Sequence, residues 1–106
     1  MATTDRREKL QQMIEKSPGD TFLLYAMAME HQKANDFPEA IRYFDQVIQL
    51  DWGYCYAYYQ KGKVQELQGD ADAARQTYRT GIDAAARKGD AHAREELSAA
   101  LSEIEP

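Results

Sequence analysis

The sequence has 106 residues, 43% of them hydrophobic and 29% charged, which indicates one globular domain and excludes an intrinsically disordered chain. Its 13 basic and 18 acidic side chains give a net charge of −5, so a nucleic acid is not an expected partner. No apolar run is long enough to cross a membrane and the start has no secretory pattern, so a cytoplasmic protein is expected.

Residues that favour turns or left-handed backbone divide the chain at intervals of 16 to 20 residues. They are Gly19-Asp20, Asn35-Asp36, Gly53, Gly69-Asp70 and Gly89-Asp90. Between them apolar side chains recur every three or four residues, as in Leu10, Met13 and Ile14, which is helical spacing. Six helices are therefore predicted, at residues 4–16, 20–34, 37–50, 54–68, 71–87 and 90–104.

The third predicted helix begins with a recognisable start signal. Pro38 falls in its first turn, where a missing N–H is harmless, and Asp36 and Glu39 have the spacing of a capping box. Residues 54–59, YCYAYY, contain an alternation that would suit a strand, but Tyr59 breaks it and no other segment has a strand pattern with which to pair. The predicted fold class is all-α.

The predicted helices form a repeat of 34 residues, because similar residues recur at that distance. The pairs are Ala40 with Ala74, Phe44 with Tyr78, Ile48 with Ile82, Asn35 with Gly69 and Gly19 with Gly53. A helical hairpin of this length, with small and large residues at fixed places, resembles the tetratricopeptide repeat family. The matching residues are Leu24, Met27, Ala28, His31, Ala40 and Phe44 in the first repeat, and Tyr58, Gly62, Ala74 and Tyr78 in the second.

The resemblance spans nearly the whole chain and implies an α-α superhelix of about six antiparallel helices in a single domain, residues 1–106. It divides that domain into a leading half-repeat helix at 4–18, a first repeat at 20–52, a second repeat at 54–87 and a C-terminal capping helix at 90–104. The departures from the family pattern are Trp52 in place of a closing proline, Lys61 and Gln65 at packing positions, and Gly81 at a small apolar position.

The first helix of each repeat carries an aromatic face beside its packing stripe. Tyr56 and Tyr59 are three residues apart and therefore share a face, which Lys63 continues one turn later. The resemblance implies that this face lines the concave groove of the superhelix. The candidate partner-binding residues are Phe22, Tyr25, Met29, Tyr56, Tyr59, Gln60 and Lys63. Three arrangements stay open for the rings: an accessible groove, burial beneath the leading and capping helices, or burial in a homodimer.

The expected function is that of a non-enzymatic adaptor, which binds a segment of a partner protein in the aromatic groove. The alternative is a homodimeric scaffold protein whose aromatic face is covered by a second copy. An enzymatic interpretation would need Tyr59, Lys63 and His31 to meet in one pocket. The family's clamp for a terminal carboxylate is not expected, because Lys63 is the single basic match, and an apolar or mixed ligand segment is expected instead.

The remaining candidates for chemistry are few. No cofactor or metal site is expected, since Cys55 is the one cysteine and the two histidines, His31 and His92, lie far apart in the sequence. Cys55 is interpreted as a structural thiol and Tyr54 as a turn residue. The last third of the chain is more basic than the rest, which indicates a hydrated helix face or, alternatively, a patch for an acidic partner. Its basic residues are Arg75, Arg79, Arg87, Lys88 and Arg94.

Overall fold

The computed structural model describes residues 2–105, and within this range it contains six α-helices and no strand. The helices are α1 (Ala2–Lys16), α2 (Thr21–Lys33), α3 (Phe37–Leu50), α4 (Cys55–Leu67), α5 (Ala71–Lys88) and α6 (Ala91–Ile104). The all-α prediction is confirmed, and five of the six helices begin and end within one residue of the predicted positions. The exception is α1, which begins two residues earlier than predicted.

Aspartates fix the starts of three helices. Asp20, Asp70 and Asp90 each accept a hydrogen bond on their side chain from the backbone N–H of the first helical turn, as N-cap residues do. The predicted capping box at Asp36 and Glu39 is wrong: the Asp36 side chain makes no cap bond, and Glu39 pairs with Arg42 instead. Pro38 lies in the first turn and has no N–H, so it removes one of the groups that an N-cap carboxylate would bind.

The core consists of two apolar clusters that meet at α4. The first contains residues of α1, α2 and α3 together with Ala57 and Val64 of α4. The second contains Cys55 and Tyr58 of α4 with residues of α5 and α6. Because opposite sides of α4 belong to different clusters, each hairpin buries its apolar surface against the next one. This sharing of helices between neighbouring hairpins is what stacks them into a superhelix.

The last turn of α5 contacts the loop that connects α3 to α4. Helix α5 has 18 residues against 14 in the equivalent α3. Within its last turn, Lys88 Nζ donates a hydrogen bond to the carbonyl oxygen of Gly53 over 2.9 Å, and the Arg87 guanidinium lies 4.2 Å from the centre of the Trp52 ring. The extended C-terminus of α5 therefore reaches back to the loop that precedes α4.

Helix α6 caps the second cluster and is tied to α5 by two arginines. Arg75 donates a hydrogen bond to the carbonyl oxygen of Ile104 over 2.9 Å, and Arg79 pairs with the carboxylate of Glu105 over 2.6 Å. Four of the five basic residues in the last third of the chain thus make contacts within the protein. The fifth, Arg94, is exposed on α6.

Candidate functional site

Two aromatic rings in equivalent positions of the two repeats are open to solvent. Phe22, in the first turn of α2, is 69% exposed, and Tyr56, in the first turn of α4, is 51% exposed. The cap of Asp20 on the backbone of Phe22 sets the start of α2 and so fixes where this ring emerges. Neither ring is sealed beneath the leading or the capping helix.

Tyr25 lies one turn after Phe22 on α2 and links the start of α4 to the core. Its ring meets Phe44 edge-on at a centroid distance of 5.8 Å and lies 5.2 Å from the ring of Tyr54. Burial raises the pKa of the Tyr25 hydroxyl, and the nearby hydroxyls of Tyr54 and Tyr56 raise it further. Tyr25 is half-buried and packs against Tyr54 at the start of α4. We refer to Phe22, Tyr25, Tyr54 and Tyr56 as the aromatic cluster.

Tyr54 is the member of the aromatic cluster that the sequence analysis did not predict. It lies in the turn, as predicted, but it is also the N-cap residue of α4, and its ring packs across to α2. The corresponding position of the first repeat is Asp20, whose side chain caps α2. An aromatic residue at a capping position was the one signal in the sequence that could have pointed to a packing role.

The other candidates on α4 form a second group around the buried Tyr78. Tyr59 is half-buried with its ring centre 6.4 Å from that of Tyr78, and Lys63 Nζ lies 5.4 Å from the centre of the Tyr59 ring. The Tyr78 hydroxyl donates a hydrogen bond to the carboxylate of Glu66, which also lies 3.8 Å from Lys63. Burial is the main reason that the pKa of Tyr78 lies far above its usual range, and the hydrogen bond to Glu66 raises it further.

The structure therefore divides the candidate residues into two groups. Phe22, Tyr25 and Tyr56 belong to the aromatic cluster, whereas Tyr59 and Lys63 surround Tyr78. Met29 is partly buried against the first core cluster, and Gln60 is half-buried on α4. The rings of Phe22 and Tyr56 are the most accessible of the set.

His31 lies apart from Tyr59 and Lys63. Its ring stacks on Tyr43 of α3 at 5.5 Å, and its Nδ1 atom is 3.4 Å from the carboxylate of Asp36. It borders a shallow cleft of about 260 Å³ between α1, α2 and α3. Tyr59 and Lys63 instead contact Tyr78 and Glu66, so the three groups proposed as an acid–base set do not share these surroundings.

Cys55 is buried in the first turn of α4, and its thiol donates a hydrogen bond to the carbonyl oxygen of Gly53 over 3.4 Å. Burial raises the pKa of the thiol, although the ammonium of Lys88 acts in the opposite direction. Among residues 2–105, no three histidine, cysteine, aspartate or glutamate side chains are grouped so as to hold a metal ion. Within the same range no helix is both long and apolar enough to span a membrane.

Known proteins resemble the chain in sequence and in fold. A tetratricopeptide repeat family model matches residues 56–88, which span α4 and α5. A tetratricopeptide repeat domain protein from Salinibacter ruber is 34% identical, with 83% of this chain and 89% of that one covered, and its solved structure superposes with a TM-score of 0.78. A TPR repeat-containing protein of Pseudomonas aeruginosa is 26% identical over 98 residues, which are 92% of this chain and 93% of that protein.

A more distant structure has the same fold over nearly all of the chain. The TPR2B domain of yeast Sti1, solved in a complex with pHsp70, superposes with a TM-score of 0.87 at 20% identity. The match covers 97% of this chain and 82% of that one. At this identity the likeness extends to the fold alone.

Proposed function

The chain belongs to the tetratricopeptide repeat family, and from this membership we propose that it is a non-enzymatic adaptor that binds a segment of a partner protein along α2 and α4. The segment would lie across the exposed rings of the aromatic cluster. With two repeats the contact area is small, so an affinity of about micromolar is expected.

The observation that carries the proposal is the exposure of Phe22 and Tyr56 at positions 34 residues apart. Large aromatic rings on rigid helices are common anchors of protein interfaces, and truncation of such an anchor costs about 1–3 kcal/mol of binding free energy. The repeat places two anchors on consecutive hairpins, which suits an extended or helical segment that runs from one repeat to the next. A structure of the same fold, the TPR2B domain of Sti1, was solved in a complex with pHsp70, which supports a protein as the ligand.

The charges on α4 favour an apolar or mixed segment over a free terminal carboxylate. Lys63 is the one basic residue among the candidates, and its ammonium already lies over Tyr59 and near Glu66. A carboxylate ligand would have to compete with Glu66 for this lysine. The ring contacts, rather than a charge clamp, are therefore the source of affinity in this proposal.

The test is retention of partners by variants in which only exposed rings are removed. Phe22→Ala combined with Tyr56→Ala should lose the partner that the natural sequence retains from a lysate of the source cell. Met13→Ala is the matched control, because Met13 is 50% exposed on α1, and it should retain the partner. Tyr25 and Tyr59 are unsuitable for this test, since their rings contact Phe44 and Tyr78 of the core.

Two results would contradict the proposal. Equal retention by the doubly substituted protein and the control would show that the rings are not the anchors. Sedimentation separates the adaptor from the homodimeric scaffold: a dimer at tens of micromolar that dissociates on Phe22→Ala and Tyr56→Ala would favour the scaffold. Circular dichroism of each variant should match the natural protein, because both rings project mainly into solvent.

A further inference from the structure

The aromatic cluster lies among carboxylates. Burial raises the pKa of the Tyr54 hydroxyl, and the two charged groups that act on it, Asp51 and Asp20, raise it further. Oδ1 of Asp20 accepts the cap bond from the backbone of Phe22, and Oδ1 of Asp51 accepts a bond from the backbone of Gly53. The second oxygen of each carboxylate takes no part in these bonds and is left for another donor.

The two repeats differ in whether a cationic side chain follows the equivalent tyrosines, Tyr25 and Tyr59. In the second repeat, Lys63 lies one turn after Tyr59 and places its ammonium 5.4 Å from the centre of that ring. In the first repeat, the equivalent pair is Tyr25 and Met29, so the chain supplies no cation from that position. A cation over a tyrosine ring is favourable because the face of the ring is negative. The aromatic cluster therefore lacks, at the position one turn after Tyr25, the cation that Lys63 supplies beside Tyr59.

We propose that the aromatic cluster receives an arginine side chain of the partner segment, an inference that rests on the proposed function. A guanidinium stacks on aromatic faces and donates paired hydrogen bonds to carboxylates, whereas an ammonium is a more strongly hydrated point charge. The exposed ring of Tyr56 offers the stacking surface, and Asp20 and Asp51 offer the acceptors. Phe22 would contact an apolar neighbour of the arginine in the segment.

Two cationic side chains, Lys88 and Arg87, lie near the aromatic cluster, and they do not neutralise the carboxylates beside it. Lys88 borders a cleft of about 340 Å³ beside Tyr54 and Tyr56, but its ammonium donates to the carbonyl oxygen of Gly53, and Asp51 and Asp90 border the same cleft. Arg87 is placed over Trp52. Asp51 and Asp90 thus outnumber the one ammonium among the residues that line this cleft, and their charge favours a cationic ligand.

The experiment measures binding of three short peptides to the full chain labelled with ¹⁵N. Each alternates leucine with a second residue and is capped at both ends: arginine in the first, citrulline, its neutral isostere, in the second, and glutamate in the third. The arginine peptide should shift the amide signals of residues 20–25 and 54–56 in a saturable way. The citrulline and glutamate peptides should bind about tenfold more weakly or less, as expected for loss of a charged stacking contact.

Substitutions that keep the backbone bonds and remove the charge complete the test. Asp20→Asn and Asp51→Asn retain a side-chain oxygen for the cap and the turn, and together they should weaken the arginine peptide about tenfold without changing the melting temperature. Asp83→Asn, an exposed acid on α5, is the control and should have no effect.

The arginine inference is overturned if the citrulline or glutamate peptide binds these residues as tightly, or if the arginine peptide gives no saturable shift at millimolar concentration. Either result leaves the adaptor function standing. That function fails separately, when the variant with Phe22→Ala and Tyr56→Ala still retains the natural partner.

Discussion

A β-carbon placed on Gly62 would lie inside the van der Waals surface of the Tyr78 ring, 2.6 Å from Cζ and 2.8 Å from Cδ1. The equivalent pair in the first repeat is Ala28 and Phe44, both fully buried. The second repeat therefore lacks one methyl group where its ring from α5 presses against α4. This close approach also brings the Tyr78 hydroxyl to Glu66.

Gly62→Ala should destabilise the protein although the same change stabilises most helices. In an exposed helix interior, alanine gains about 0.5–1 kcal/mol over glycine. Here the added carbon forces the Tyr78 ring to move, and overpacking of this kind costs about 1–3 kcal/mol or more. Urea denaturation of both proteins would measure the change in the free energy of unfolding.

Gly19→Ala is the matched control, because a β-carbon there meets nothing within 4 Å. Its free energy of unfolding should stay within about 0.5 kcal/mol of the natural protein. If Gly62→Ala were as stable as Gly19→Ala, the ring of Tyr78 could not lie where the structure has it.

A similar exchange of sizes explains Gly81, which departs from the family pattern. A β-carbon at Gly81 would lie 2.7 Å from Cβ of Tyr58. The first repeat has Leu24 and Val47 at the equivalent positions. The second repeat thus places a larger residue on α4 and compensates with glycine on α5. Spacing alone located both positions, but the compensation between them depends on contacts between helices that the spacing does not specify.

The sequence was sufficient to predict the helices and the equivalence of Phe22 with Tyr56, because both follow from local turn signals and the 34-residue period. It did not predict that Tyr54 packs against Tyr25, since the direction of a side chain at a helix start is decided by the neighbouring hairpin. Nor did it predict the bond from Lys88 to Gly53, which joins residues 35 positions apart. Contacts of that kind are set by how the repeats stack.

Alkaline pH should unfold the protein at lower temperature through its buried tyrosines. In the unfolded chain tyrosine ionises near pH 10, whereas burial and the bond to Glu66 hold Tyr78 protonated to higher pH in the folded state. A pKa raised by folding contributes stability that is complete below the unfolded value and is lost as pH rises above it. The melting temperature should therefore fall steeply above about pH 10.

Tyr78→Phe tests the origin of this effect. It should lower the melting temperature at neutral pH, because the bond to Glu66 is lost, and make the decline at alkaline pH shallower. Tyr56→Phe, at an exposed position, should change neither. Absorbance at 295 nm gives an independent check: if all seven tyrosines of the folded protein ionised together near pH 10, the buried hydroxyl of Tyr78 would be ruled out.

Arg87→Ala should loosen the loop between the repeats. The guanidinium covers the ring of Trp52, and such contacts at partly exposed sites contribute about 0.5–1 kcal/mol. A loss of 1 kcal/mol lowers the melting temperature by about 4–8 °C in a domain of this size. Because Trp52 is the one tryptophan, its fluorescence reports directly on this contact, and the emission should shift to longer wavelength as the ring gains water.

Lys9→Ala, at an exposed position on α1, is the control for Arg87→Ala and should leave the emission of Trp52 unchanged. An unaltered emission spectrum for Arg87→Ala would mean that the guanidinium does not cover the indole in solution.

Glu30 is a buried acid where the second repeat has Val64, and replacing it with an apolar residue should not destabilise the protein. Its side chain is 4% exposed, with Oε2 held by Arg6 at 3.0 Å and Lys33 at 3.8 Å, while Oε1 has no hydrogen-bond partner among the described residues. The attraction within a buried ion pair often fails to offset the free-energy cost of removing its charges from water. An apolar residue of similar volume is therefore often neutral or stabilising. Glu30→Met should therefore unfold at the same urea concentration as the natural protein or a higher one.

Removing only the cation should have the opposite effect. Among the described residues, Arg6→Ala leaves the buried Glu30 carboxylate with Lys33 as its one remaining partner, and the loss of a partner for a buried charge costs about 1.5–3 kcal/mol. In the Glu30→Met background the same Arg6→Ala change should cost almost nothing, since no charge is left to pair. Urea denaturation of the four proteins gives the coupling energy between the two residues. A coupling of zero would mean that Arg6 and Glu30 do not interact.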